Sequence, residues 1–148
     1  MDFDEFELCH LVCEDVGMTL GKAVGEYINI NSPSGYGFAT GLIDEACADA
    51  AISFEDRAQL TFQKSINYCE NVEGMPSEEL ITFLEGFAQG ARCTLFIDLK
   101  SGQNGHHIWE AVFRGVGIAL GQALSFDSSR EGLTSGVAGK VEYEVSAE

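Results

Sequence analysis

Positive charge is what this 148-residue chain has least of: eight Lys and Arg stand against twenty-four Asp and Glu, a formal net charge of −16. A field of that sign repels polyanions, which makes nucleic acid and anionic membrane surfaces poor partners. Proline occurs only twice, whereas glycine occurs seventeen times. Cysteine is present five times, as Cys9, Cys13, Cys47, Cys69 and Cys93, but the number is odd and no two residues have CxxC spacing. Neither a disulfide framework nor a zinc knuckle follows, and the thiols are expected to be reduced and mostly buried. No apolar run approaches the roughly 20 residues that cross a bilayer. The opening Met1-Asp2-Phe3-Asp4-Glu5-Phe6-Glu7 has neither the basic start nor the apolar core of a secretory signal, so a cytoplasmic location is expected.

What is there reads as one globular domain. Apolar residues make up 45% of the chain and charged residues 22%, close to ordinary usage. A chain of this length buries roughly 68–70% of its unfolded surface, enough for one core. After a short strand through Phe6 and Leu8, Val12, Cys13, Val16, Leu20, Ala23 and Val24 recur at helical spacing. Pro33, Gly35 and Gly37 punctuate a loop from Asn31. Ala46, Ala48, Ala50, Ile52 and Phe54 then share one face of a strand, and Ala58, Leu60 and Phe62 alternate with polar neighbours in the next. A tight connection at Glu55 and Asp56 predicts that these two strands form a hairpin. Ser77 has Pro76 before it and Glu78 and Glu79 after it, the pattern of a helix N-cap. Leu80, Phe83, Leu84, Phe87, Ala88 and Ala91 supply the apolar stripe of that helix. Cys93, Leu95, Ile97 and Leu99 alternate as a strand that leads through Ser101 and Gly102 into a last helix, opened by His106 and His107.

The chain also repeats itself. Gly17-Met18-Thr19-Leu20-Gly21-Lys22-Ala23-Val24 recurs one hundred residues later as Gly117-Ile118-Ala119-Leu120-Gly121-Gln122-Ala123-Leu124. Upstream, the match shifts by four, one helical turn, so that His10-x-x-x-Glu14 aligns with His106-x-x-x-Glu110. Duplication of a strand–helix unit accounts for this, and the two repeat helices are expected to pack near each other. The alternative use of Gly17, Gly21, Gly117 and Gly121 is to avoid clashes with the sheet, since helical glycine costs about 1 kcal/mol against alanine.

A histidine and a carboxylate four residues apart on a helix share one face, so His106 and Glu110 can meet one metal ion. His107 points about 100° away, so it can serve a second metal or a different site. Imidazole with carboxylate suits manganese, zinc or iron better than calcium. The competing reading is a solvated helix start with polar surface pairs, and for His10 with Glu14 alone that reading is the simpler one.

The segment Gly102-Gln103-Asn104-Gly105-His106-His107-Ile108-Trp109-Glu110-Ala111-Val112-Phe113 resembles imidazoleglycerol-phosphate dehydratases, the hydro-lyases of histidine biosynthesis. That family is built from two similar halves, each with a helix opening on His-His-x-x-Glu. The second motif stands intact as His106-His107-Ile108-Trp109-Glu110. The first is recognisable in His10-Leu11-Val12-Cys13-Glu14-Asp15-Val16-Gly17, with Leu11 in place of its second histidine. Asp44-Glu45-Ala46 resembles the family's Asp-Glu-Ala segment, and Arg57 falls at the spacing of a substrate-binding arginine, although Glu55-Asp56-Arg57-Ala58 replaces the family's Ser-Gly-Arg-Pro. Where the family carries another such arginine, Gly35-Tyr36-Gly37 offers no cation. Thr82 occupies the place of a ligand histidine in the middle helix. The phosphate-binding Ser-Ser-Lys or Ser-Thr-Lys would fall at Ser135 to Ala138, with Lys140 displaced by two, and the family's Leu-Asp-His-Met segment has no counterpart among these residues.

The resemblance implies an α+β fold of the ribosomal-S5-domain-2-like type, a mainly antiparallel sheet with helices on one face. Residues 1–30 are read as a remnant of the first half-repeat, 31–140 as the second half-repeat and 141–148 as a tail. It implies His10, Glu14, His106, His107 and Glu110 as metal ligands, with Glu14 and Glu110 as the acid–base pair that moves protons as water leaves. Manganese is the expected metal, with zinc or iron as alternatives. Arg57 and Arg114 are the candidate phosphate contacts, although Arg114 can equally be a surface residue paired with Glu110 one turn back. Lost ligands weaken a metal site. The expected function is therefore a divergent dehydratase relative with impaired or lost turnover and at most a partial metal site. An active lyase with a rebuilt site, or a binding or scaffold protein reusing the fold, stands as the alternative. Exposed sheet edges predict a homo-oligomer.

Overall fold

A computed structural model describes residues 5–31, 33–66 and 69–130. The order is α1 (Glu5–Asn31), β1 (Tyr36–Ile43), β2 (Ala46–Ser53), β3 (Gln59–Lys64), β4 (Asn71–Val72), β5 (Met75–Pro76), α2 (Ser77–Ala91), β6 (Thr94–Ser101) and α3 (Gly105–Ala123), followed by a 3₁₀ turn at Ser128–Arg130. The fold is α+β. Its main sheet runs β1-β2-β6-β3, antiparallel except that β3 and β6 are parallel, and β4-β5 is a separate two-stranded ribbon.

Burial decides which strand takes the centre. Leu95, Ile97 and Leu99 of β6 are fully buried, so this strand lies between β2 and β3. That placement overturns the expected hairpin at Glu55 and Asp56. β2 pairs with β1 and β6, while β3, whose Leu60 and Phe62 are only partly buried, reaches the sheet through β6 alone. A parallel pair needs a crossover, and residues 65–93, including α2, provide it. The tight hairpin in the main sheet is β1–β2, turned at Asp44 (φ 44°) and Glu45. The β4–β5 ribbon turns at Glu73 and Gly74, both with positive φ.

The inner sheet face is made of small residues where α3 crosses it. A Cβ on Gly41 would stand 1.9 Å from the Ala111 carbonyl oxygen, so only glycine admits the helix at that distance. Ala46, Ala48 and Ala50 of β2 and Ile108, Val112, Val116, Ala119 and Ala123 of α3 close this layer. α1 lies along α2 instead. A Cβ on Gly21 would approach the Phe87 carbonyl oxygen to 2.3 Å, and Gly17 meets Phe83 in the same way.

Four further expectations change. Phe6 and Leu8 lie inside α1 rather than in a strand, because two alternating residues cannot separate period two from a helical turn. The repeat helices do not pack together: Gly17 and Gly21 face α2, whereas a Cβ on Gly117 or Gly121 would meet nothing within 4 Å. Pro76, not Ser77, stands at the N-cap of α2. Ser77 is buried, and its hydroxyl donates to the Cys69 carbonyl and accepts from Trp109 Nε1. The cysteines are free, but of the five only Cys93 is buried, since Cys9 and Cys13 are half-exposed on α1 and Cys47 lies toward the open sheet face. Burial pushes the Cys93 thiol up to about 12.

Candidate functional site at the start of α3

A cluster of polar side chains forms where α3 begins. Asn104 is the N-cap, its side-chain oxygen accepting from the backbone N–H of His106 at 2.9 Å and His107 at 3.4 Å. The β1–β2 turn then brings Glu45 over the same helix start. One Glu45 carboxylate oxygen accepts from the backbone N–H of Asn104 at 2.8 Å and Gln103 at 3.0 Å. The other lies 2.8 Å from His107 Nδ1. Those donors, with the Asn104 N–H foremost, then His107 and Gln103, pull the Glu45 carboxyl down to about 2 from the usual 4.5.

His107 is held between two carboxylates, with Glu45 at Nδ1 and Asp44 at 3.5 Å from Nε2. The Glu45 hydrogen bond raises its pKa above the ordinary 6.5, and the charges of Glu45, Asp44 and Glu110 add to the effect. The hydrogen bond is at Nδ1, to Glu45, while Asp44 stands at ion-pair distance from Nε2 and favours the protonated ring by its charge. A metal at His107 Nδ1 would have to displace the Glu45 contact.

His106 faces another way. Its Nδ1 lies 3.1 Å from Glu73 on the β4–β5 turn and its Nε2 3.5 Å from Glu110 one turn along. Arg114 fixes Glu110 at 2.6 Å and donates to the Leu42 carbonyl at 2.8 Å, so the helix-pair reading of Arg114 describes its place. Beneath, Trp109 stacks on Phe62, ring centroids 5.5 Å apart, and donates to Ser77 at 2.9 Å, locking the orientation of the helix that carries both histidines.

The remaining candidates lie elsewhere. His10 Nδ1 meets not Glu14 but Glu79 of α2, at 3.0 Å, and the Glu79 side chain is almost fully buried. Arg57 lies in the loop before β3, at the Thr94 end of β6, with its carbonyl accepting from the Thr94 hydroxyl. That is the opposite end of the strand from Ser101, whose hydroxyl donates to the Glu45 carbonyl beside the α3 start. Thr82 is half-buried on α2 and Leu11 is exposed on α1. Residues Ser135 to Lys140 are outside the described residues. Within one chain the donors do not converge on a metal: among the described residues, no three His, Cys, Asp or Glu side chains are placed to hold an ion together. Glu45 and Asn104 join the site only in the fold. An Asn two positions before a helix-opening His is an N-cap signal, and Asp44-Glu45-Ala46 marks the turn, but their meeting across the sheet is not a local property.

The chain is similar along most of its length to proteins of one kind. The family model for imidazoleglycerol-phosphate dehydratase matches residues 4–120. The imidazoleglycerol-phosphate dehydratase of Nitratidesulfovibrio vulgaris is 36% identical over 127 residues, covering 85% of this chain and 64% of that protein. That of Pyrococcus furiosus is 36% identical over 135 residues, covering 89% of this chain and 73% of its own length. The crystal structure of the Staphylococcus aureus dehydratase superposes with a TM-score of 0.74 at 33% identity, over 80% of this chain and 69% of that one. The Pyrococcus furiosus structure in complex with (S)-C348 gives 0.72 at 32% identity, over 81% and 66%. The chain thus spans about 64% of the length of the first curated relatives it matches. With the family model covering most of the chain and the fold shared with solved members, the chain belongs to the imidazoleglycerol-phosphate dehydratase family.

Proposed function

We propose that this chain is a divergent dehydratase relative that holds at most a partial metal site and has impaired or lost turnover on the family substrate. The observation that carries this reading is the separation of the three histidines, each engaged by different carboxylates: His10 by Glu79, His106 by Glu73 and Glu110, His107 by Glu45 and Asp44. Leu11 and Thr82 remove two further imidazoles that the resemblance calls for. His10, Glu14, His106, His107 and Glu110 remain the ligand candidates, with manganese first and zinc or iron behind it, and Glu14 and Glu110 remain the candidate proton carriers. Their own chemistry here is to hold and move protons: Glu45 orients His107 at Nδ1, and Arg114 holds Glu110 one turn from His106. Arg57 and Arg114 are the candidate contacts for a phosphorylated imidazole. Residues 1–30 as part of the first half-repeat and 31–140 as the second, a homo-oligomeric state and a cytoplasmic location belong to the same proposal. No described helix is long and apolar enough to cross a membrane.

The test is metal binding followed by turnover. Metal-stripped protein is titrated with manganese or zinc by calorimetry, bound metal per chain is counted by elemental analysis, and His106→Ala and Glu110→Ala are run beside it. The expected result is weak, substoichiometric binding that both substitutions abolish, with dehydration of imidazoleglycerol phosphate far below that of a longer relative. Two tightly held metals per chain with relative-like turnover would overturn the proposal in favour of an active lyase with a rebuilt site.

A further inference from the structure

The side of α1 that meets α2 carries two thiols as well as glycines. Cys13 stands one helical turn before Gly17 and Cys9 one turn before that, so the two sulfurs lie on neighbouring turns of one side. Both cysteines are free and half-exposed. The almost fully buried side chain of Glu79, in the first turn of α2, sits beside them, and the ring set against it is that of His10, at 3.0 Å. Burial, then the Cys9 thiol and then Glu79 push the Cys13 thiol above its ordinary 9.0.

The helix decides what such a pair can do. Side chains four apart on a helix have Cβ atoms about 5–6 Å apart. A disulfide needs them at about 3.5–4.5 Å, so joining Cys9 directly to Cys13 would distort α1. One atom between the sulfurs, with bonds of about 2.3 Å as in metal–thiolate complexes, spans the gap and leaves the helix intact. Among the described residues no third donor joins the pair, so four-coordinate zinc is not served. A monovalent ion on two thiolates would leave net negative charge beside buried Glu79, which is costly. Trivalent arsenic carrying one organic group takes two sulfurs and ends neutral. We infer that Cys9 and Cys13 form a dithiol site that captures trivalent organoarsenicals. Capture is a condensation: with R–As(OH)2, two S–H and two As–O bonds break, two As–S bonds form, and the protons leave on oxygen as two waters. Arsenic stays trivalent, so no oxidant or reductant takes part. The site lies on a different helix from the cluster at the start of α3 and does not depend on the proposed catalytic state.

Intact-mass spectrometry of the full chain, after incubation with phenylarsine oxide in a large excess of glutathione, tests it. Glutathione is a monothiol, which strips arsenic from a single cysteine but competes poorly with two thiols held together on one chain. The expected result is one phenylarsenic group per chain, released by dithiothreitol, with the circular-dichroism spectrum unchanged. Cys9→Ser and Cys13→Ser each abolish the adduct, while Cys69→Ser, at the exposed thiol outside α1, keeps it. A wild-type chain that holds no arsenic against glutathione overturns the inference. An adduct that survives Cys9→Ser or Cys13→Ser also overturns it, and its loss in Cys69→Ser then moves the site to the base of the β4–β5 ribbon. An adduct that forms only with loss of helix overturns it as well, since the thiols would then meet on an unwound chain. Because the wild-type mass alone can refute the inference, a variant that fails to fold does not leave it undecided.

Discussion

α1 and α3 carry the same glycine pattern and opposite packing. On α1, Gly17 and Gly21 are the contact, with the backbone of α2 pressed against them, and Val12, Val16, Leu20, Tyr27 and Ile30 face outward. On α3, Gly117 and Gly121 face open space, and the large apolar residues are the contact. A helix with one glycine side and one apolar side can be read by its neighbours from either side. The repeat therefore transmits a choice of faces, and the partner element selects between them.

The comparison is broken most severely at the helix crossing. Gly21→Ala would place a methyl group on the Phe87 carbonyl, and an expected loss of about 3 kcal/mol should appear in urea unfolding. Val112→Ala opens a void under the sheet and should cost about 2 kcal/mol by the same measurement, whereas Ile118→Ala on the outward side of α3 stays within about 0.5 kcal/mol. Asn104→Ala removes the cap over the helix that carries both histidines and should cost about 1 kcal/mol. Gly121→Ala runs the other way. With nothing within 4 Å of the new methyl group, helix propensity should raise stability by somewhat under 1 kcal/mol, the opposite sign to Gly21→Ala one repeat earlier.

The mildest effect is in pH. Glu45 has a lowered folded-state pKa, so its contribution is present above the ordinary 4.5 and is lost as pH falls through about 2. His107 has a raised one, so its contribution is present below 6.5 and is lost as pH rises through the elevated folded value. The stability difference between wild type and Glu45→Gln should therefore be largest between about pH 4.5 and 6.5 and shrink on both sides. In an NMR titration, Glu45→Gln should also bring the His107 pKa down. An unmoved His107 would show that the cross-sheet hydrogen bond is not what holds its proton.

Local periodicity made much of this architecture legible. Ala46 to Phe54 and Cys93 to Leu99 alternate because one side of each strand is wholly buried, and His106 begins a helix where the sequence places it. β1 carries a weak strand signal because its inward positions include Gly37 and Gly41, which serve closeness to α3 rather than hydrophobicity. The mistaken β2–β3 hairpin has a different cause. Strand partners are chosen by which strand is most buried, and β6, some forty residues away, displaces the local neighbour. At the site, the histidines and Glu110 were readable as a motif. The hold of Glu45 on His107 was not, since it joins residues 62 apart in sequence.

The late position of β6 governs the order in which the molecule can assemble. β3 has no neighbour in the main sheet until Thr94–Ser101 exists, and β2 has only β1. A nascent chain must hold Leu60 and Phe62 without a strand partner while α2 is synthesised. Such deferred pairing slows folding and lengthens the time apolar strands are open to wrong partners. Once Leu95, Ile97 and Leu99 arrive, one strand closes both sides of the sheet at once, so its addition is where cooperative folding should appear.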